Sequence, residues 1–303
     1  MNEKILEHYK KTGSFTYAGC YQEYFRSLPD DPAVLGRLIC GQVIHRVTLK
    51  EGNTNANETL LYGDMDRYPW YRMRCEDDVF LTAAAMTAEL FRLDERGFRA
   101  DRNVEHKLVV TCRYVSVLMS AILKAKGIPA RCRAGFAPYF KEGVSMDHWI
   151  NQYYSEKEKR WITFDADGFY EEGGMPLSQY DMPESSFDWV AEAYLSVRNG
   201  KTDGKQYVYA DNLGTCSLPA LIRYLIYDFH ALMNQELTYT FLPAYLEGRL
   251  DRLTEVELQE FDRLARWMLE PDRYFEELCT IWKQERKWRI LSSPLVGESD
   301  HGV

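Results

Sequence analysis

Residues 106–136 read HKLVVTCRYVSVLMSAILKAKGIPARCRAGF, and the periodicity changes twice within them. HKLVV is a short apolar run ending at Thr111. From Cys112 onward, apolar residues recur at Val115, Leu118, Met119, Ile122 and Leu123, which is the spacing of a helical face. Gly127 and Pro129 stop that helix. ARCRAGFAPYF then alternates as a strand does. Thr111 predicts an N-cap, which puts Cys112 at the first helical position. Alanine would serve the helix better there, so propensity does not account for Cys112. The free N–H groups and dipole of a helix N-terminus favour a thiolate at that position.

Downstream, DHWINQYY (147–154) and RWITFDAD (160–167) read as two strands joined by the charged turn SEKEK. Upstream, DDVFLTAAAMTAELFRLDERG (77–97) predicts a helix with acids in its first turn and Gly97 as its stop. DDPAVLGRLICGQVIHRVTL (30–49) predicts a short helix leading into a strand, and KEGNTNANETL a polar loop. After about residue 205 the spacing turns helical in SLPALIRYLIYDFHALMNQ, PAYLEGRLDRL, EVELQEFDRLARWML and PDRYFEELCTIWKQERKW. The tail SSPLVGESDHGV reads as frayed. Strands gathered after helices point to an α+β fold. The expected organisation is one domain over 1–303. A core covers about 75–200, a mixed extension 1–74, and a helical subdomain about 205–303.

Composition narrows the function. A net charge of −9, with only short basic clusters mixed with acids, argues against a nucleic-acid partner. No run of about 18 apolar residues predicts a membrane span. MNEKILEHYK lacks the apolar centre of a signal peptide. Seven cysteines without a CxxC, and histidines without HxH or HxxxH, argue against a disulfide framework and against a metal site. The expectation is a reduced, cytoplasmic protein with no cofactor and no metal.

Thiol chemistry needs a base to hold the proton and a third group to orient the base. His148 and Asp165 lie on the two arms of the predicted hairpin. With an even-numbered turn centred on Glu156 and Lys157 they stand opposite each other and point the same way. Asp167 is a rival to Asp165, but Gly168 after it suits a turn. His45, His106 and His230 read as structural or surface residues. Cys40, Cys75, Cys132, Cys216 and Cys279 read as packing residues.

These residues carry a resemblance. Cys112, GIPAR at 127–131, Gly135, His148 with Trp149, Trp161 and Asp165 resemble in order and spacing the transglutaminase-like superfamily, a branch of the papain-type cysteine enzymes. The likeness covers about 105–170. It implies a core in which the Cys-headed helix packs on an antiparallel sheet, with further helices on the N- and C-terminal sides. It also implies Cys112 as nucleophile, His148 as base and Asp165 as its orienter. Members often carry Gly two residues before the Cys and an acidic or aromatic residue after it, where this chain has Val110 and Arg113. The Cys112 N–H is one expected oxyanion donor. Gln42, Trp70, Tyr71 and Trp149 are candidates for the second donor or for substrate contact. The expected reaction is attack on an amide or acyl carbonyl of a peptide, protein or small molecule through a thioester, resolved by water. Transfer to an amine is the alternative, and a non-catalytic binding or scaffold module is the rival of another class. Oligomeric state is not readable.

Overall fold

The computed structural model describes residues 2–46, 64–73, 76–77, 79–167, 178–210 and 217–290. In chain order, α1 (Glu3–Lys10), α2 (Gln22–Ser27) and α3 (Pro32–Cys40) lead to β1 (Val43–His45). Next come α4 (Ala83–Leu93), β2 (Leu108–Val110), α5 (Cys112–Ala125), β3 (Ala130–Ala137), β4 (Ser145–Ser155) and β5 (Arg160–Phe164). Then follow β6 (Asp188–Trp189), α6 (Val190–Arg198), β7 (Tyr207–Val208), α7 (Leu218–Leu232), α8 (Glu255–Leu269) and α9 (Phe275–Gln284). The fold is α+β. Its main sheet runs β5-β4-β3-β6, antiparallel, with β7 added parallel to the start of β4. β1 and β2 form a separate parallel pair.

The quoted stretch forms the centre of this arrangement. Every residue of α5 is buried, not only its apolar stripe. The polar residues on the helix are therefore matched inside the core. Ser116 Oγ donates to the Trp149 carbonyl at 3.1 Å, and Asn151 Nδ2 donates to Ser116 O and Ser120 Oγ, both at 2.9 Å. These bonds fix the helix against β4 more specifically than apolar contact does. The helix ends in a Schellman motif. Gly127 has φ +78°, its N–H donates to Lys124 O, and the Ile128 N–H donates to Leu123 O. Pro129 then forces the extended chain of β3.

One hydrophobic cluster runs from Ile5 through α5 and β3 to Trp288, so the C-terminal helices share their core with the sheet. α7 is tied to β3 by a buried ion pair. Asp228 accepts from Arg133 Nε and Nη2, each at 2.8 Å, and from the Ala134 N–H at 2.9 Å.

Several boundaries differ from the sequence reading. Asp77 does not start a helix: α4 begins at Ala83, where Thr82 Oγ1 accepts from the Ala85 N–H. PAYLEGRLDRL makes only a 3-10 turn at Ala244–Leu246, because Pro243 precedes it and Gly248 turns the chain at φ +64°. The regular helix in the last segment is confined to Phe275–Gln284. KEGNTNANETL, SSPLVGESDHGV, Cys75, Cys216 and Gly168 lie outside the described residues.

Gly135 stands at the crossing of three strands, paired with His148 on one side and Trp189 on the other. A Cβ there would lie 2.6 Å from the Asp188 carbonyl oxygen and 2.5 Å from the Phe187 ring. Gly135→Ala is therefore expected to cost about 1–3 kcal/mol through overpacking, read as a lower urea midpoint with the m-value unchanged.

Candidate active site

Four short segments place the candidate side chains. β2 runs into α5 with one residue between, so Cys112 opens the helix. Thr111 occupies the N-cap position, but its side chain makes no capping bond. The helix start is held by others. The Thr111 N–H donates to Asp77 Oδ1 at 3.1 Å, Tyr114 donates its hydroxyl proton to Asp77 O at 2.7 Å, and the Cys112 N–H donates to His45 Nε2 at 3.1 Å. Asp77, read as a helix-start acid, instead fixes the residue before the thiol.

His148 lies on β4 and Asp165 one residue beyond β5. Ser155 pairs with Arg160, so residues 156–159 make the turn and its centre falls between Lys157 and Glu158. This register differs by two from the one expected, and His148 and Asp165 are diagonal rather than opposite. A shift of two preserves the face. Once β5 has ended, the Asp165 carboxylate reaches the ring: His148 Nε2 lies 3.1 Å from Asp165 Oδ2. Asp165 is itself braced. Tyr139 donates its hydroxyl proton to Oδ2 at 3.2 Å, and the Asp167 N–H donates to Oδ1 at 3.0 Å. Its backbone N–H and C=O bond to Gln179 at 2.9 Å each. Phe140 packs edge-on to the imidazole at 4.8 Å.

Burial pushes the His148 pKa down, but the Asp165 carboxylate and the Cys112 sulfur, both hydrogen-bonded to the ring, outweigh it and hold it well above the ordinary 6.5. With Nε2 on Asp165, the other ring nitrogen is left for Cys112. His148 is 1% exposed, Cys112 5% and Asp165 0%, so the charges interact with little solvent screening. The raised value stabilises the fold fully below 6.5, and that contribution fades as pH rises through the higher folded-state value. Asp165→Asn removes the leading charge that raises it. The basic limb of the pH–rate profile is therefore expected to move to lower pH in that variant, as kcat/KM against pH would show.

Residues 94–166 match the model of the transglutaminase-like superfamily. This part of the chain is similar to the core of that superfamily. The match spans Cys112, His148 and Asp165, and members of the superfamily are generally cysteine enzymes. No curated protein and no solved structure matched the chain.

Around the matched residues 94–166, the other candidates divide. Gln42 is committed to structure: Nε2 donates to Leu38 O and to Arg99 O, while Oε1 accepts from the Arg99 N–H and Arg102 Nε. Its amide protons are already engaged and are not offered to an oxyanion. Trp70 is 85% exposed, edge-on to Tyr71 on a 3-10 turn, and forms surface rather than core. Trp149 is fully buried beside Tyr227, next to His148 in sequence. Among the described residues, no group of three or more His, Cys, Asp or Glu is placed to hold a metal ion.

Two residues near the thiol were missed. Tyr239, after α7, brings its hydroxyl to 3.7 Å from Cys112 Sγ. Arg113 explains how it gets there. The guanidinium is buried, stacks on Phe15 and Tyr114, and donates from Nε to Leu237 O at 2.6 Å and to Glu236 O at 3.1 Å. The departure at Arg113 is thus the clamp that draws the 236–239 loop over the site. The second is His45, read as structural. The pairing of β1 with β2 sets it beside Val110, two residues before the thiol. Two short apolar runs, VIH and LVV, were the available signal.

Proposed function

We propose that the chain is a cysteine enzyme acting on an amide or acyl carbonyl, with hydrolysis as the outcome. The contact of His148 with both Cys112 and Asp165 carries this reading. Cys112 Sγ attacks the carbonyl carbon and forms the C–S bond while its proton resides on His148. The tetrahedral intermediate collapses to a thioester, and His148 returns the proton to the leaving amine or alkoxide. Water, deprotonated by His148, then attacks the thioester. The acid leaves and the thiol is restored. Asp165 keeps the imidazole oriented and stabilises its charged form throughout.

Transfer to an amine would use the same residues and would need an acceptor subsite beside the thioester. A panel of activated acyl esters and amides, read by intact mass and peptide mapping, tests the proposal. The expected result is an acyl adduct on Cys112 that decays to free acid, with little amide formed when a primary amine is added. Amide as the main product would replace hydrolysis by transfer. No adduct on Cys112 with any donor would favour a binding module.

A further inference from the structure

We infer that His45 gates the oxyanion position of this site: its imidazole holds the Cys112 N–H in the resting enzyme and gives it up to the acyl oxygen of a bound substrate. The inference rests on Cys112 being the nucleophile.

An oxyanion formed by attack of Sγ must sit about 3 Å from its donors. The nearest backbone donor to a carbon bonded to Sγ is the N–H of Cys112 itself. In this structure that N–H is taken by His45 Nε2 at 3.1 Å. An imidazole nitrogen that accepts a hydrogen bond presents a lone pair, and so does the oxyanion. The two compete for one proton and cannot hold it together, so the ring must move before the N–H can serve the intermediate.

The surroundings favour the closed arrangement in the absence of substrate. Burial first, then the charges of His148 and Arg46, lower the His45 pKa from 6.5 to about 3, so the ring stays neutral and remains an acceptor at ordinary pH. Asp167 Oδ2 lies 3.6 Å from the same Nε2. That carboxylate follows Asp165 by two residues, and its N–H is bonded to Asp165 Oδ1. The gate therefore touches both the nucleophile and the loop that orients the base. A substrate that displaces His45 spends part of its binding energy on opening the hole, which selects for ligands making contacts beyond the scissile bond.

Two reagents separate the gate from the thiol. p-Nitrophenyl acetate acetylates Cys112: the S–C bond forms, an oxyanion appears, and nitrophenolate departs. Methyl methanethiosulfonate forms an S–S bond to Cys112 and expels methanesulfinate, with no oxyanion. In His45→Ala, acetylation of Cys112 is expected to rise about fivefold, the size of one ordinary net hydrogen bond, while the thiosulfonate rate stays unchanged. A fall in acetylation alone would show that His45 assists the oxyanion and would overturn the gate. No change in either rate would leave the ring a packing residue and overturn it equally. If both rates fall because the variant no longer holds the start of α5, nitrogen NMR of the wild-type histidines decides. His45 Nε2 should shift on acetylation of Cys112 and stay in place in the methylthio enzyme, and an identical response to both overturns the gate. A wild-type Cys112 inert to the thiosulfonate would overturn the nucleophile itself.

Discussion

His148→Ala is expected to slow acylation of Cys112 by about 10²–10⁴-fold, the usual contribution of a positioned general base. In the proposed mechanism the imidazole holds the proton that the thiol must lose and later returns it to the leaving group. Alanine removes both roles and leaves Asp165 buried with Tyr139 and the Asp167 N–H as its partners. The loss should appear in the rate of acyl transfer to Cys112 under single-turnover conditions, with the far-ultraviolet dichroism spectrum unchanged. A decrease below threefold would mean that the ring has a structural role only.

Asp228→Ala is expected to cost about 3–5 kcal/mol of stability, the range found when one partner of a buried ion pair is removed. Arg133 is 3% exposed and Asp228 0%, so the stranded guanidinium has little access to water. Its remaining contacts are a 3.4 Å bond to Gln152 and the face of Trp189. The Ala134 N–H loses its acceptor as well. Urea unfolding would show the loss as a lower midpoint. A double variant with apolar residues of similar volume at both positions should recover most of it, because no unpaired charge is then left. A single-variant loss below about 1 kcal/mol would mean that water reaches the pair.

The local order of the central segment was legible because each change of period carried a chemical reason. The helix stripe, the glycine that needs positive φ and the proline after it agree with one another, and α5 ends where they place it. The facing of His148 and Asp165 was legible only in parity. The turn length that sets register depends on Lys159 adopting φ +57°, and no glycine or asparagine marks that position. Long-range contacts were not legible. Tyr239 reaches Cys112 across 127 positions, and the link runs through Arg113, which looked like a family departure. Gln42 looked free to donate because its partners, Arg99 and Arg102, meet it only in the folded chain. Burial also misled: α5 reads as amphipathic, yet Ser116, Ser120 and Lys124 are all buried and bonded.

The central claim is that the buried thiol of Cys112 is activated by His148. Exposure alone ranks the thiols the other way: Cys20 is exposed, Cys279 half-buried and Cys112 buried. Cys132 is a built-in control, since burial and the Glu236 charge push its thiol up to about 12. The decisive measurement is iodoacetamide labelling at pH 6 followed by peptide mapping, in the wild type and in His148→Ala. The expected result is that Cys112 labels first in the wild type, ahead of Cys20, and loses that lead in the variant. Cys112 labelling no faster than Cys20, or equally fast with and without His148, would contradict the account.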